Sequence, residues 1–203
     1  MSYIPATIVS LVLTPSVCTQ FCPGTCMLWD GRVFASGGSG NLQTSIYDWN
    51  TDSWSTQARM NIPRGYNVDI LLADGRSVAT LGGSWRPRYV PVYTDEKLGE
   101  VWTQSTGWRV LPGWETKSYS DGYGSSGDSH IWLFPLLKGL VFQAGPSPEM
   151  HFYSLAGTGS MRSAGMRLDH GIAINGVAVM FAPNKIFCAG GVCTSPIEVS
   201  RLL

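Results

Sequence analysis

The sequence is poor in charge. Only 14% of its 203 residues are Asp, Glu, Lys or Arg, and 14 acidic and 14 basic residues cancel to a net charge of zero. No Lys/Arg run is present, so the electrostatic footprint of a nucleic-acid binder or of a polybasic membrane surface is missing. Long apolar runs are also lacking: the stretch from Ile8 to Leu13 is far short of the ~20 residues that span a bilayer. The N-terminus has the small apolar residues of a secretory leader but no basic start, since the first Lys or Arg is Arg32. Met1 is therefore read as lying inside a larger domain.

Cysteine is scarce and odd in number: Cys18, Cys22, Cys26, Cys188 and Cys193. At least one has no internal disulfide partner. The spacing of the first three would place them on one helix face, as in a metal cluster. Pro23 and Gly24 stand between them and argue against that helix. A zinc site is the weaker reading. What the chain does have is a 44% hydrophobic content, 24 glycines and 8 tryptophans. That content excludes a charge-rich disordered chain, and glycine with aromatics suits an all-β protein of tight turns.

An internal repeat organises these residues. Four segments read strand, tight turn, strand, small residues: Met27 to Gly38, Ile70 to Gly83, Trp132 to Gly145 and Ala178 to Gly191. Two of them carry Asp-Gly at the turn, Asp30-Gly31 and Asp74-Gly75, a strong hairpin signal because that turn needs φ > 0. Gly37 and Gly82 are 45 residues apart, as are Gly145 and Gly190. A period of about 45 to 50 residues belongs to β-propellers. Gly-Gly followed by Tyr47 and Trp54, and again by Trp102 and Trp108, is a kelch pattern, with Trp54 and Trp108 expected to pack between neighbouring sheets. The expected blades span about 20–66, 67–125, 126–170 and 171–203. Four blades of an expected seven leave sheet faces and edges uncovered, so the chain is read as an incomplete kelch-type β-propeller, truncated at both ends.

Three motifs lie on this frame: Phe21-Cys22-Pro23-Gly24, Arg64-Gly65-Tyr66 and Gly82-Gly83-Ser84-Trp85. Cys22 and Tyr66 are 44 residues apart, one blade, and so take like positions on adjacent blades. In this order the motifs resemble the galactose oxidase family of copper radical oxidases. The likeness extends through Ser129 to Phe134, Phe142 to Ser147 and Ser163 to Gly165, and so over most of the chain.

The resemblance implies a Cys–Tyr thioether radical cofactor and one copper ion. Tyr66 would be an equatorial copper ligand, Cys22 sulfur would bond to the Tyr66 ring, and Trp85 would stack over the pair. It implies oxidation of a primary alcohol to an aldehyde, with dioxygen leaving as hydrogen peroxide. The partners implied are a small primary alcohol or carbohydrate and dioxygen, without nucleic acid or membrane, for a secreted monomer. Ser126 falls where the family carries a substrate-binding arginine, so the guanidinium grip on sugar hydroxyls is expected to be missing.

The family's further copper ligands, a Tyr-His pair and a second histidine from later blades and a C-terminal domain, have no match here. His130, His151 and His170 read as structural or surface histidines. One phenolate does not enforce the tetragonal N,O set that cupric copper prefers, so this stretch alone is expected to be inactive. Two alternatives stand beside the oxidase fragment: a non-catalytic kelch propeller used for docking, and a non-functional truncated gene product. Cys22, Tyr66 and Trp85 favour the oxidase, since a docking surface has no need of that trio.

Overall fold

The computed structural model describes residues 20–83, 98–116, 131–167, 173, 176–190 and 197–199. They form antiparallel sheets in strict chain order. The first contains β1 (Gly24–Met27), β2 (Val33–Ser36), β3 (Thr44–Asp48) and β4 (Ser53–Thr56). The second contains β5 (Val68–Leu71), β6 (Val78–Leu81), β7 (Gly99–Thr103) and β8 (Gly107–Leu111). The third contains β9 (Trp132–Leu136), β10 (Leu140–Gly145), β11 (Glu149–Ser154) and β12 (Ser160–Met166). The fourth joins β13 (Val177–Ala182), β14 (Lys185–Ala189) and β15 (Ile197–Glu198).

Each sheet begins with an expected hairpin, but the turns are made in different ways. Gly31 and Gly75 adopt φ of 86° and 69°, as the Asp-Gly pairs require. Asp74 fixes the second turn further, accepting bonds from the Arg76 and Ser77 amides at 2.9 Å each and from the Ser77 hydroxyl at 2.6 Å. The third hairpin turns through a 3-10 segment, Leu137–Gly139, with Lys138 at φ 60°. The fourth uses Asn184 at φ 60°, a residue that tolerates the left-handed region.

The first strands of successive sheets are neighbours: β1 lies against β5, β5 against β9 and β9 against β13. Sheets so arranged, with inner strands adjacent and faces stacked, are consecutive blades of a propeller. Each seam has its own core. Leu28, Phe34, Ile46, Val78 and Trp102 fill the first. Leu81, Leu111, Trp114, Val141 and Tyr153 belong to the second. Trp132, Phe142, Phe152, Ile186 and Cys188 belong to the third. Large apolar residues stay exposed at the two ends of the row, Met27 on the first sheet and Val177, Val179, Phe181 and Phe187 on the fourth. That is the surface of a propeller whose ring is not closed by these sheets.

The aromatic assignments need one correction. Trp108 does reach across a seam: it is half-buried, and its Nε1 donates to Thr44 Oγ1 of the first sheet at 2.9 Å. Trp54 instead leans on Tyr47 of its own sheet, centroids 5.4 Å apart, because the two are cross-strand partners in β3 and β4. Among the described residues Trp114 is fully buried. Its indole donates to the Ser154 carbonyl at 2.7 Å, and a Cβ added at Gly99 would lie 2.5 Å from its ring.

Candidate functional site

The chain enters β1 and β5 through two short segments at the same end of the first seam. Cys22 lies two residues before β1 and Tyr66 two residues before β5. The Tyr66 amide donates to the Cys22 carbonyl at 2.9 Å, so the two residues named from the sequence are one hydrogen bond apart. Both are half-buried, and the Cys22 thiol is free of any disulfide. Cys22 and Tyr66 have φ of 54° and 62°. For side chains other than glycine this region costs roughly 1–2 kcal/mol per residue, so surrounding contacts must hold both in place.

Several ties do so. The Ser39 amide donates to the Phe21 carbonyl, and the Gly38 amide to the Arg64 carbonyl, both at 2.8 Å. Arg64 is fully buried. Its Nη1 donates to the Gly82 carbonyl at 2.8 Å, and its Nη2 to the Leu98 carbonyl and to Glu100 Oε2, the latter at 3.3 Å. Glu100, equally buried, accepts from the Asn61 backbone and side-chain amides at 2.8 Å each. The Arg-Gly-Tyr motif is thus anchored on one side to the glycine turn of the first blade. On the other it is anchored to Gly82 and to the strand entrance at Leu98. Burial disfavours the charged guanidinium, and the Glu100 carboxylate opposes that effect.

Behind the two segments lies a buried polar knot that sequence reasoning missed. Asn67 and Asp69 are 1% and 4% exposed. The Ser36 hydroxyl donates to Asp69 Oδ1 at 2.9 Å, and Asn67 Nδ2 lies 3.1 Å from the same oxygen. Asp69 Oδ2 is buried with no hydrogen-bond partner. Burial pushes the Asp69 carboxyl up to about 7, against bonds from Thr80 and Ser36, the charge of Arg64 and a bond from Asn67. The facing Cys26 thiol is held far above its usual value, first by burial and then by Asp69, so it stays a neutral thiol.

A pH dependence follows. The folded carboxyl binds its proton more tightly than the unfolded one, at about 7 against 3.8. Its contribution to stability is full below the unfolded value and is lost as pH rises through about 7. Urea midpoints of the wild type should therefore fall between pH 4.5 and 7.5 by more than those of Asp69→Asn, where ~4 and ~7 bracket the titration. Equal slopes would contradict the assignment.

Of the remaining named residues the structure describes two, His151 and Cys188, on the third and fourth sheets. Trp85, Ser126, His130, His170, Cys18 and Cys193 lie outside the described residues. His151 is buried on β11, its Nδ1 3.0 Å from Gln143 Oε1. Burial lowers its pKa, with Glu149 opposing, so it is a satisfied structural histidine. Cys188 is disulfide-bonded. Among the described residues no three His, Cys, Asp or Glu side chains converge as a metal cluster. Tyr66 and Cys22 offer one phenol oxygen and one thiol at this place, and the described residues do not complete a tetragonal copper set.

Known proteins decide the lineage of the chain. Two curated galactose oxidases of Gibberella zeae are each 39% identical to the chain over 182 residues, covering 85% of it. The chain belongs to the galactose oxidase family. It spans about a quarter of those relatives, 26% of their length. A solved fungal alcohol oxidase of the AA5 family, in complex with copper, superposes with a TM-score of 0.76 at 34% identity, covering 85% of this chain and 36% of that one. No protein-family model matches. The incomplete β-propeller is therefore the galactose oxidase family's propeller in part.

Proposed function

We propose that this chain is the radical-bearing part of a secreted, monomeric copper radical oxidase acting on primary alcohols. The observation that carries this reading is the bond from the Tyr66 amide to the Cys22 carbonyl, with both residues held at positive φ. It brings together the two residues whose side chains would make the cofactor. In making it, the Cys22 S–H bond and one Tyr66 ring C–H bond break and one S–C bond forms. The two protons and two electrons released reduce dioxygen to hydrogen peroxide.

A sulfur substituent lowers the cost of oxidising the phenolate, whose phenol has an ordinary pKa of ~10. Trp85 would cover the modified ring and keep water from it. Copper, when bound, would supply the positive charge that keeps Tyr66 deprotonated and the second redox centre for alcohol oxidation by dioxygen. Tyr66 would provide one oxygen ligand, and the other ligands would come from outside the described residues.

The test is a mass measurement. The chain is incubated in air with excess cupric ion and then reduced by thiols to open any disulfide, and a product two hydrogens lighter than the fully reduced chain is expected. An unchanged mass with Cys22 fully alkylatable would count against the reading. For substrate, Ser126 in place of an arginine removes a bidentate grip on sugar hydroxyls. A longer product carrying Ser at this position should consume oxygen faster on a primary alcohol other than galactose. Galactose proving the best substrate of a panel would contradict this.

A further inference from the structure

We propose that Asn67 is a positioning residue for the Cys22–Tyr66 cross-link, its carboxamide pinning the Cys22 segment of the first blade against the Tyr66 segment of the second. The inference rests on the thioether reading above and adds the device that sets the geometry.

Asn67 follows Tyr66 directly, and its side chain crosses the seam. Oδ1 accepts from the Gly24 amide at 3.3 Å, two residues beyond Cys22. Nδ2 lies 3.1 Å from Ser36 Oγ, 3.0 Å from Thr80 Oγ1 and 3.1 Å from Asp69 Oδ1. One side chain thus touches both inner strands of each blade, β1 and β2 on one side and β5 and β6 on the other. The carboxamide is suited to this because it accepts and donates at once.

The surroundings are shaped to admit it. A Cβ at Gly24 would lie 2.5 Å from Asn67 Nδ2, one at Gly37 2.7 Å from Asn67 Oδ1, and one at Gly83 3.1 Å from Asn67 Cβ. Glycines from three different strand ends therefore leave room around a single side chain. Two of them, Gly24 and Gly83, belong to the motifs that contain Cys22 and Trp85. Those motif glycines are thereby explained by close approach rather than by turn chemistry alone.

The consequence is specific. The Tyr66 amide bond to Cys22 is one rung, and Asn67 to Gly24 is the next, so the two together fix both position and rotation of one segment on the other. Loss of the second rung should let the first open without unfolding the blades.

The experiment compares the full chain with Asn67→Ala, Gly24→Ala and, as a control, Ser36→Ala. Ser36→Ala weakens the same buried knot and leaves the Gly24 rung intact. Hydrogen exchange at the Tyr66 amide is read together with the rate of two-hydrogen loss in cupric ion and air. Asn67→Ala and Gly24→Ala are expected to lower Tyr66 protection and the cross-linking rate at least ~10-fold, relative to amides of β10 and β11 in the same molecule. Ser36→Ala should change β10, β11 and Tyr66 protection alike and slow cross-linking by less. Cross-linking and Tyr66 protection at control levels in Asn67→Ala would overturn the inference while leaving the thioether reading intact. If the wild type never loses the two hydrogens, the thioether reading falls and the inference falls with it.

Discussion

A Tyr66→Phe chain treated with cupric ion and air and then reduced by thiols will show the full mass of the reduced chain, and its Cys22 will be completely alkylatable. The effect is all-or-none because the ring loses the oxygen that makes it oxidisable, while its size and backbone conformation stay nearly the same. Loss of one half-buried hydroxyl should cost stability only about 1 kcal/mol. An absent cross-link could not then be blamed on an unfolded protein. Cys22→Ser should give the same chemical result from the other partner. Cys26→Ser provides the contrast. Cys26 is four residues away and also free, but it sits on β1 against Phe34 and faces Asp69. Its removal should leave the two-hydrogen loss unchanged. Loss of the product in Cys26→Ser, or its persistence in Cys22→Ser, would reassign the sulfur.

Arg64→Met should lower the unfolding free energy by about 3–5 kcal/mol, the usual cost of leaving a buried charge without its partner. The charge left is Glu100, fully buried and 3.3 Å from the guanidinium. Glu100 would keep its bonds from Asn61 but face no positive charge. The Gly82 and Leu98 carbonyls would lose their donor at the same time. Arg64→Met with Glu100→Gln should recover part of the loss, because the uncompensated charge goes with its partner. Urea unfolding of the three proteins measures this. A single variant within 1 kcal/mol of wild type, on the scale of an ordinary surface change of about 0.5 kcal/mol, would show that the ion pair contributes little.

The frame of the molecule was legible because it is written in local chemistry. Asp30-Gly31 and Asp74-Gly75 announce their turns, and the Gly-Gly spacing announces the repeat. That Cys22 and Tyr66 take like positions on adjacent blades was legible as a one-blade offset, and their backbones are one hydrogen bond apart. The hairpin at Lys138 carried a weaker signal, since lysine rarely marks a left-handed turn. Trp54 was misplaced because period and spacing identify an aromatic position but not which neighbour covers it. The Asn67–Asp69 knot was missed for a different reason. Polar residues at alternate positions of a strand read as a solvent face, and only the arrival of Gly24, Ser36 and Thr80 from other strands turns that face into a buried one. The one available hint was three glycines at the edges of two hairpins, more than their turns require.

The measurement that tests the central claim most directly is a tryptic map of the copper-treated wild-type chain. Cleavage after Arg32, Arg64 and Arg76 puts Cys22 in peptide 1–32 and Tyr66 in peptide 65–76. The expected result is one joined peptide, two hydrogens lighter than the sum, that survives reduction by thiols. Two separate peptides, with Cys22 alkylated and Tyr66 unmodified, would contradict the account.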